Sequence, residues 1–432
     1  MGWLLLHNIA YQQRIGVIGL GYVGLPLLLL AAKKGYSVLG IDLDMERIAS
    51  LEKGKSYSTE ISDNDLQTIF EKDLIKISTD YSQLPSCDVI VVCVPTPLSS
   101  DRKPDYSCLV RAIRDIASQL RQGQLIIVES TVAPGTTRTL VLSNLQAGGL
   151  VAGTHFFLSY SPERIDPANK EFKLNTIPKI VAGLTPTCQL LAQNFYKSLG
   201  LTVVPVRTLA TAEMAKLLEN TYRDVNIALV NEMAQVCRAN SINIWEVINA
   251  AATKPFGYQA FYPGPGVGGH CVPVDSVYYT FWARENGTPA ELAELARKVN
   301  SEMPQYVTDI IRETLAASDK TLNGSKILVL GVSYKKDTVD VRESSVVKLI
   351  DQLQMEGASV SFHDPLVQSI QVNSAKLQSI ALDMHSVSQQ DCVVLAMAHS
   401  AYNLSWLYTV SPVMIDLTNA MADYPNNKLT KL

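Results

Sequence analysis

The sequence predicts an α/β protein: two Rossmann-like, doubly wound domains joined by a long central helix and a helical middle domain. Three observations carry that expectation. A short apolar run, Arg14 to Ile18, leads into Gly19-Leu20-Gly21-Tyr22-Val23-Gly24 and then an apolar helix. Between about Leu209 and Arg238, apolar residues recur at steps of three and four, the period of one long helix. From Ser325 onward, short apolar runs alternate with helical stretches a second time, with one glycine where the first unit has three. The domains are read as residues 12–207, 208–318 and 319–432.

In the first domain a second strand, Ser37 to Ile41, ends at Asp42. Strand, Gly-x-Gly-x-x-Gly, helix, strand and acid in that order make a dinucleotide fingerprint. Gly19 permits the tight turn, Gly21 lets a pyrophosphate approach the backbone, and Gly24 lets helix and strand pack closely. The helix N-terminus offers its partial positive charge to the phosphates. Asp42 suits the adenosine ribose hydroxyls, which favours NAD over NADP. Arg47, one helical turn on, either braces that ribose or is a solvated helix charge.

The continuous apolar run Cys87 to Val94 reads as a strand buried on both faces and ends in Pro95-Thr96-Pro97. Leu125 to Val128 is the next such strand and ends in Glu129-Ser130-Thr131. Phe156 to Tyr160 follows and leads into Ser161-Pro162-Glu163-Arg164-Ile165. Ligands bind at these carboxyl-end loops in open α/β sheets. Glu163 is either a surface ion-pair partner of Arg164 or a general base. Ile177 to Gly183 and Thr202 to Pro205 close the domain.

Along the long helix, Met214, Leu217, Leu218, Tyr222, Val225, Leu229, Met233 and Val236 are expected to form the buried stripe. Lys216, Asn220 and Arg223 fall on another stripe. They form a solvated face or, where that face lines a cleft, an ammonium and an amide able to stabilise an oxyanion. A helix from Ile244 to Ala252 enters the loop Tyr262-Pro263-Gly264-Pro265-Gly266-Val267-Gly268-Gly269-His270-Cys271, with Asp275 four residues further on. Four glycines and two prolines leading to one thiol describe a shaped loop that delivers a nucleophile better than they describe a buried cysteine. Helices from Ser276 to Glu285 and Pro289 to Ala317 complete a spine and dimerisation surface.

The second α/β unit has its strands at Ile327 to Gly331, Ser359 to His363, Cys392 to Met397 and Val413 to Leu417. After the first of these, Lys335, Lys336 and Arg342 surround a Ser-capped helix start. That loop is a diphosphate grip or a charged surface loop.

Composition fits this plan. The chain has 432 residues, 47% apolar and 18% charged, which is enough for full cores. Net charge is −4 and no basic block occurs, so nucleic acid and anionic membrane surfaces are poor partners. Seven cysteines at scattered spacings, with no Cys-x-x-Cys, argue for a reducing cytoplasm rather than a disulfide framework or a zinc site. The run Trp3-Leu4-Leu5-Leu6 is too short for a secretory core, and Leu25 to Ala32 is far short of a membrane span.

Taken together, the sequence resembles the UDP-glucose/GDP-mannose dehydrogenase family along nearly its whole length. The resemblance rests on Gly19 to Gly24, Val94-Pro95-Thr96-Pro97, Glu129-Ser130-Thr131, Ser161-Pro162-Glu163-Arg164, Lys216 to Arg223, Gly268-Gly269-His270-Cys271, and Tyr334-Lys335 with Arg342-Glu343-Ser344. It implies an enzyme that oxidises C6 of a nucleotide sugar to the carboxylate with two NAD, making a uronic acid for surface polysaccharide. By the same resemblance Cys271 is the nucleophile, and Lys216 and Asn220 hold the C6 oxygen. Asp275 orders the base or water, and Glu163 with Thr131 readies the hydrolytic water. Arg164, Ile165, Arg223 and Gly268 touch the sugar or diphosphate, while Tyr334, Lys335 and Arg342 hold UDP. Gly19, Gly21, Tyr22, Val23, Gly24, Asp42, Arg47, Thr96 and Thr131 bind NAD. The stretches Ala251 to Tyr258 and Ile165 to Asn169 look like the branch acting on UDP-N-acetylglucosamine. The N-acetylmannosamine branch carries a His-Pro-Arg where this chain has Pro255-Phe256-Gly257. UDP-N-acetylgalactosamine, UDP-N-acetylmannosamine and UDP-glucose stay as alternative substrates. A single-step dehydrogenase and an NAD-binding scaffold stay as alternative functions. Where relatives have Asp-Thr-Arg-Asn, this chain has Asp416-Leu417-Thr418-Asn419, with threonine in place of the arginine.

Overall fold

A computed structural model describes residues 14–57, 61–70, 72–165 and 174–432. The N-terminal apolar run and the stretch Asp166 to Asn169 lie outside the described residues. The chain divides into two compact units. The first runs to Glu219 and includes Val277–Asn286; the second comprises Asn220–Ser276 and Gly287–Leu432.

Among the described residues the first unit holds an eight-stranded sheet. Its strands are β1 (Arg14–Ile18), β2 (Ser37–Ile41), β3 (Ile75–Ser78), β4 (Val89–Val92), β5 (Leu125–Val128), β6 (Phe157–Tyr160), β7 (Lys179–Gly183) and β8 (Val203–Pro205). The order is β3-β2-β1-β4-β5-β6-β7-β8. All neighbours pair in parallel except β6 and β7, which run antiparallel.

Burial on both faces explains the near-continuous apolar strands. Val89 and Val91 point into one core with Leu25 and Leu28 of the helix Gly24–Lys33. Ile90 and Val92 point into the other with Leu109, Ile113 and Ile116 of the helix Ser107–Ser118. The strand order reverses between β1 and β4, and the crevice at such a switch point is where a doubly wound sheet takes its ligand. The β3 edge, Ile-Lys-Ile-Ser, is half polar and too short to announce itself in the sequence.

The second unit holds β9 (Lys326–Leu330), β10 (Ser359–His363), β13 (Cys392–Leu395), β14 (Met414–Asp416) and β15 (Leu429–Lys431), ordered β10-β9-β13-β14-β15 and all parallel. A hairpin of β11 (Ser369–Val372) and β12 (Ala375–Gln378) was not anticipated. The helices assigned by sequence to a middle domain are shared between the units. The helix Leu209–Ala239 begins in the first unit and ends in the second. The helix expected from Ser276 starts earlier, at Val272. Pro273 is compatible with that start, because a first-turn residue has no intrahelical N–H bond to lose.

The long helix overturns the expected burial. Leu217 is buried, but Leu218, Tyr222, Leu229, Met233 and Val236 are exposed. The buried face carries Glu213, Lys216, Asn220, Asp224 and Asn231 instead, interleaved with small residues such as Ala228 and Ala234. Periodicity identified an apolar stripe correctly. It could not say that the polar stripe would find its hydrogen-bond partners inside the fold. No helix among the described residues is long and apolar enough to cross a membrane.

Candidate active site

The glycine loop after β1 has the shape of a dinucleotide cradle. Gly19 takes φ +88°, and a Cβ there would lie 2.8 Å from the Cys93 carbonyl oxygen. A Cβ on Gly24 would lie 1.9 Å from the Gly19 carbonyl oxygen, whereas one on Gly21 would meet nothing within 4 Å. The first and third glycines are therefore demanded by packing, and the second keeps room open where a pyrophosphate approaches. Tyr22 and Val23 complete the turn into the helix Gly24–Lys33. Asp42, buried at the end of β2, accepts the Leu20 N–H at 2.7 Å and the Asp44 N–H at 2.9 Å. Arg47 approaches the same carboxylate at 3.4 Å and stacks over the Tyr57 ring. These residues fit NAD: an open cradle, a helix start and an oriented acid for the ribose. Tyr57, which the sequence reading passed over, donates its hydroxyl proton to the Leu20 carbonyl.

The neighbouring rim belongs to the same unit. Thr96 is buried after β4, and its carbonyl accepts the Tyr278 hydroxyl at 3.1 Å. Thr131 is half-buried after β5, where Ser130 donates to the Val94 carbonyl at 2.7 Å. Glu163, after β6, does not pair with Arg164 through its side chain. Its Oε1 accepts the backbone N–H groups of Arg164 and Ile165, at 2.6 and 2.5 Å. The Arg164 guanidinium instead pairs with Glu219 at 2.7 Å.

Lys179, at the start of β7, carries no local signal of a role. Its Nζ lies 2.8 Å from Glu129 Oε2 and 3.3 Å from Glu163 Oε2, with 4% of its side chain exposed. Tyr196 donates to Glu129 Oε1 at 2.5 Å. Burial pushes the Glu129 carboxyl up, to about 7, against the pull of Lys179. Burial acts the same way on Glu163, but Lys179, Lys216 and the two backbone N–H groups outweigh it and hold that carboxyl below its ordinary value. Burial would lower Lys179, yet the two carboxylates more than compensate and keep it a firm ammonium.

On the long helix, Lys216 and Asn220 are one turn apart and both buried, while Arg223 is exposed. Asn220 Nδ2 donates to Asp275 Oδ2 at 2.5 Å. Asp275 is buried in the first turn of the helix Val272–Glu285, and its N–H bonds the Cys271 carbonyl at 2.8 Å. Cys271 is exposed immediately before that turn, where the helix partial charge favours an anion. A buried polar ladder holds the approach to the thiol. Gly264 N–H bonds Asn231 Oδ1 at 3.0 Å, Asn231 bonds Asn300 at 2.8 Å, and Asn300 bonds Asp224 at 2.8 Å. Arg297 closes the ladder on Asp224 at 2.6 Å.

The thiol loop sits against the loop after β9. A Cβ on Gly268 would lie 2.8 Å from Tyr334 Cβ, and one on Gly269 2.9 Å from its ring. Gly269 N–H bonds the Arg342 carbonyl at 3.1 Å. Arg342 grips Asp340 with two nitrogens, at 2.9 and 2.5 Å. Lys335 is half-buried, and its carbonyl accepts the hydroxyls of Ser333 and Thr338. Ser344 caps the helix Ser345–Met355 as expected. His399, also unforeseen, fixes this loop from within. Its Nδ1 accepts the Asp337 N–H at 3.0 Å, so the proton sits on Nε2 and points to Asp364 at 3.1 Å. Thr418 folds back onto Asp416 at 2.7 Å and does not supply an arginine-like reach.

The NAD-binding domain of the UDP-glucose/GDP-mannose dehydrogenase family matches residues 13–200, its central domain 210–302 and its UDP-binding domain 328–423. The chain belongs to this family. It is 35% identical to a UDP-N-acetyl-D-mannosamine dehydrogenase of Pyrococcus horikoshii, over 91% of each chain. It is 33% identical to a UDP-N-acetyl-D-glucosamine 6-dehydrogenase of Pseudomonas aeruginosa, over 90% of this chain and 91% of that one. The solved structure of a UDP-D-ManNAc dehydrogenase from Pyrococcus horikoshii superposes with a TM-score of 0.88 at 31% identity, covering 97% of this chain and 99% of that one. The protein is thus an NAD-dependent UDP-sugar dehydrogenase with Rossmann-like sheets in its N- and C-terminal parts. Family membership sets aside the scaffold reading.

Proposed function

We propose that this dehydrogenase oxidises C6 of a UDP-N-acetylhexosamine to the uronic acid through a covalent bond to Cys271, with N-acetylglucosamine as the sugar. The exposed thiol at a helix start, at the end of a glycine loop braced by a buried polar ladder, is the observation that carries this reading. A single alcohol oxidation has no use for a sulfur nucleophile; a four-electron oxidation does. NAD, when bound, accepts the hydride from C6 in each oxidation. Cys271 thiolate adds to the aldehyde carbon, and the second hydride loss converts that thiohemiacetal to a thioester. Water then attacks the acyl carbon and the thiolate leaves. Lys216 and Asn220 stabilise the charged C6 oxygen, and Asp275 orients Asn220. Glu163 with Thr131 receives the proton of the hydrolytic water. Arg164, Ile165, Arg223 and Gly268 contact sugar and diphosphate, while Tyr334, Lys335 and Arg342 hold the uridine diphosphate. Gly19, Gly21, Tyr22, Val23, Gly24, Asp42, Arg47 and Thr96 hold NAD, with Thr131 at its ribose. The product feeds surface-polysaccharide assembly from the cytoplasm.

The choice of N-acetylglucosamine rests on Ala251 to Tyr258, where the chain lacks the His-Pro-Arg of the N-acetylmannosamine branch. Relatives named for both sugars have near-equal identity, so a substrate panel decides. Incubated with UDP-glucose and the UDP derivatives of N-acetylglucosamine, N-acetylgalactosamine and N-acetylmannosamine, the enzyme is expected to turn over the gluco substrate fastest. It should release two NADH per sugar with no free aldehyde. One NADH per sugar, or a preference for the manno epimer, rejects the corresponding half of the assignment.

The exposed stripe Leu218, Tyr222, Leu229, Met233 and Val236 suits a second copy of the chain, because a two-fold contact sets the same apolar surface against itself. The variant Leu229→Asp is expected to shift sedimentation from dimer to monomer. A wild-type monomer would remove this assignment.

A further inference from the structure

Glu163 is asked to act as a base, yet a lone buried carboxylate would hold its proton tightly and wander between rotamers. The structure supplies what prevents both. One Glu163 oxygen is pinned by two backbone N–H groups, and the other faces the Lys179 ammonium at 3.3 Å. That ammonium has a shorter bond, 2.8 Å, to Glu129, a carboxylate from a different strand end. Glu129 is in turn bonded by the Tyr196 hydroxyl. These groups come from β5, β7, the loop after β6 and the helix Pro186–Ser198. Lys216 adds a second positive charge that acts on Glu163 from the long helix. Among the described residues Cys93, after β4, is a further titratable neighbour, and burial keeps it a neutral thiol. Arg164 is committed to Glu219 and does not serve Glu163 with its guanidinium.

We propose that Lys179 is a positioning residue of the active site: seated between Glu129 and Glu163, it holds the Glu163 carboxylate ionised and oriented for water, with Glu129 and Tyr196 fixing the ammonium from the other side. Two carboxylates share the Lys179 ammonium in a nearly dry site, and Lys216 adds its charge on the Glu163 side. A proton entering the cluster therefore settles on Glu129, whose carboxyl burial raises, and spares Glu163, where the positive charges and backbone N–H groups outweigh burial. The proposal rests on Glu163 serving the hydrolytic water.

The test separates the two claims by pre-steady-state kinetics across pH with UDP-N-acetylglucosamine, or with whichever sugar the substrate panel favours. Both hydride transfers precede hydrolysis, so slow hydrolysis appears as a burst of two NADH per active site followed by a slow steady state. Glu163→Gln is expected to keep the burst and lower the steady state by about 10²-fold or more. An unchanged steady state in that variant removes the reading of Glu163 itself. With that reading intact, Lys179 and Glu129 make different predictions. Hydrolysis needs ionised Glu163, so its rate falls as pH drops through that group's pKa. Lys179→Met removes the stabilising positive charge and should move this acid limb up by roughly one to three pH units. Glu129 has already taken its proton at the pH of that limb, so Glu129→Gln should leave the limb within about half a pH unit of wild type. Damage to the packing of the cluster would move the limb in both variants, not in Lys179→Met alone. Lys179→Arg, which keeps the charge, should keep the wild-type limb. Where Lys179→Met fails to fold, Lys179→Gln takes its place. A wild-type acid limb in the neutral Lys179 variant, or an equal upward shift in Glu129→Gln, overturns the proposal.

Discussion

Replacing Cys271 with serine is expected to abolish the second oxidation and lower steady-state acid formation by about 10³-fold or more, while NAD affinity stays within a fewfold of wild type. Serine is nearly isosteric but far less nucleophilic at neutral pH, and an oxygen ester would hydrolyse by a different balance of steps. The loop geometry should survive, because its anchors are the Gly264–Asn231–Asn300–Asp224 ladder and the Gly269–Arg342 backbone bond, not the sulfur. Quantifying NADH against uronic acid, together with intact mass of the quenched enzyme, checks the result. Wild-type enzyme should show a covalent sugar adduct on Cys271, and the serine variant should not show one at sulfur-like rates. A serine variant with full turnover would return the protein to the single-step class of dehydrogenase.

Lys216→Met is expected to cost about 10²- to 10³-fold in kcat, the usual penalty for losing a donor aimed at a developing oxyanion. Methionine preserves most of the stem in this buried position, so the variant deletes charge more than volume. The KM for NAD should change little, since the glycine loop, Asp42 and Arg47 are untouched. Loss of the same charge also weakens the support that Glu163 receives, so the defect should deepen as pH falls. A kcat within about threefold of wild type would dismiss Lys216 from the chemistry. A defect confined to KM would make it a binding residue.

Much of the fold was legible because its signals are local. β1, β2, β5, β10 and the helix Ile244–Ala252 fall on the residues that apolar runs and turn signals mark. The dinucleotide fingerprint was legible for the same reason, since five features in register leave few alternatives. Lys179 was not legible. A lysine opening a strand reads as a solvated end, and its partners lie 50 and 16 residues away, meeting only when β5, β6 and β7 pair. His399 was missed on the same ground: its partners Asp337 and Asp364 come from separate loops. The long helix failed differently. The apolar stripe is real, but whether a stripe is covered by the same chain is not written in its period.

The interlock between Gly268-Gly269 and the Tyr334 ring has an evolutionary consequence. A Cβ on Gly268 or Gly269 would lie 2.8 or 2.9 Å from Tyr334, so a side chain there has to move the loop that ends at Cys271. On the proposed roles, with Tyr334 at the uridine diphosphate and Cys271 at the sugar, handle recognition and thiol placement are inherited as a single trait. Diversification toward new sugars is then expected in the walls facing the hexose, with the nucleotide handle left alone.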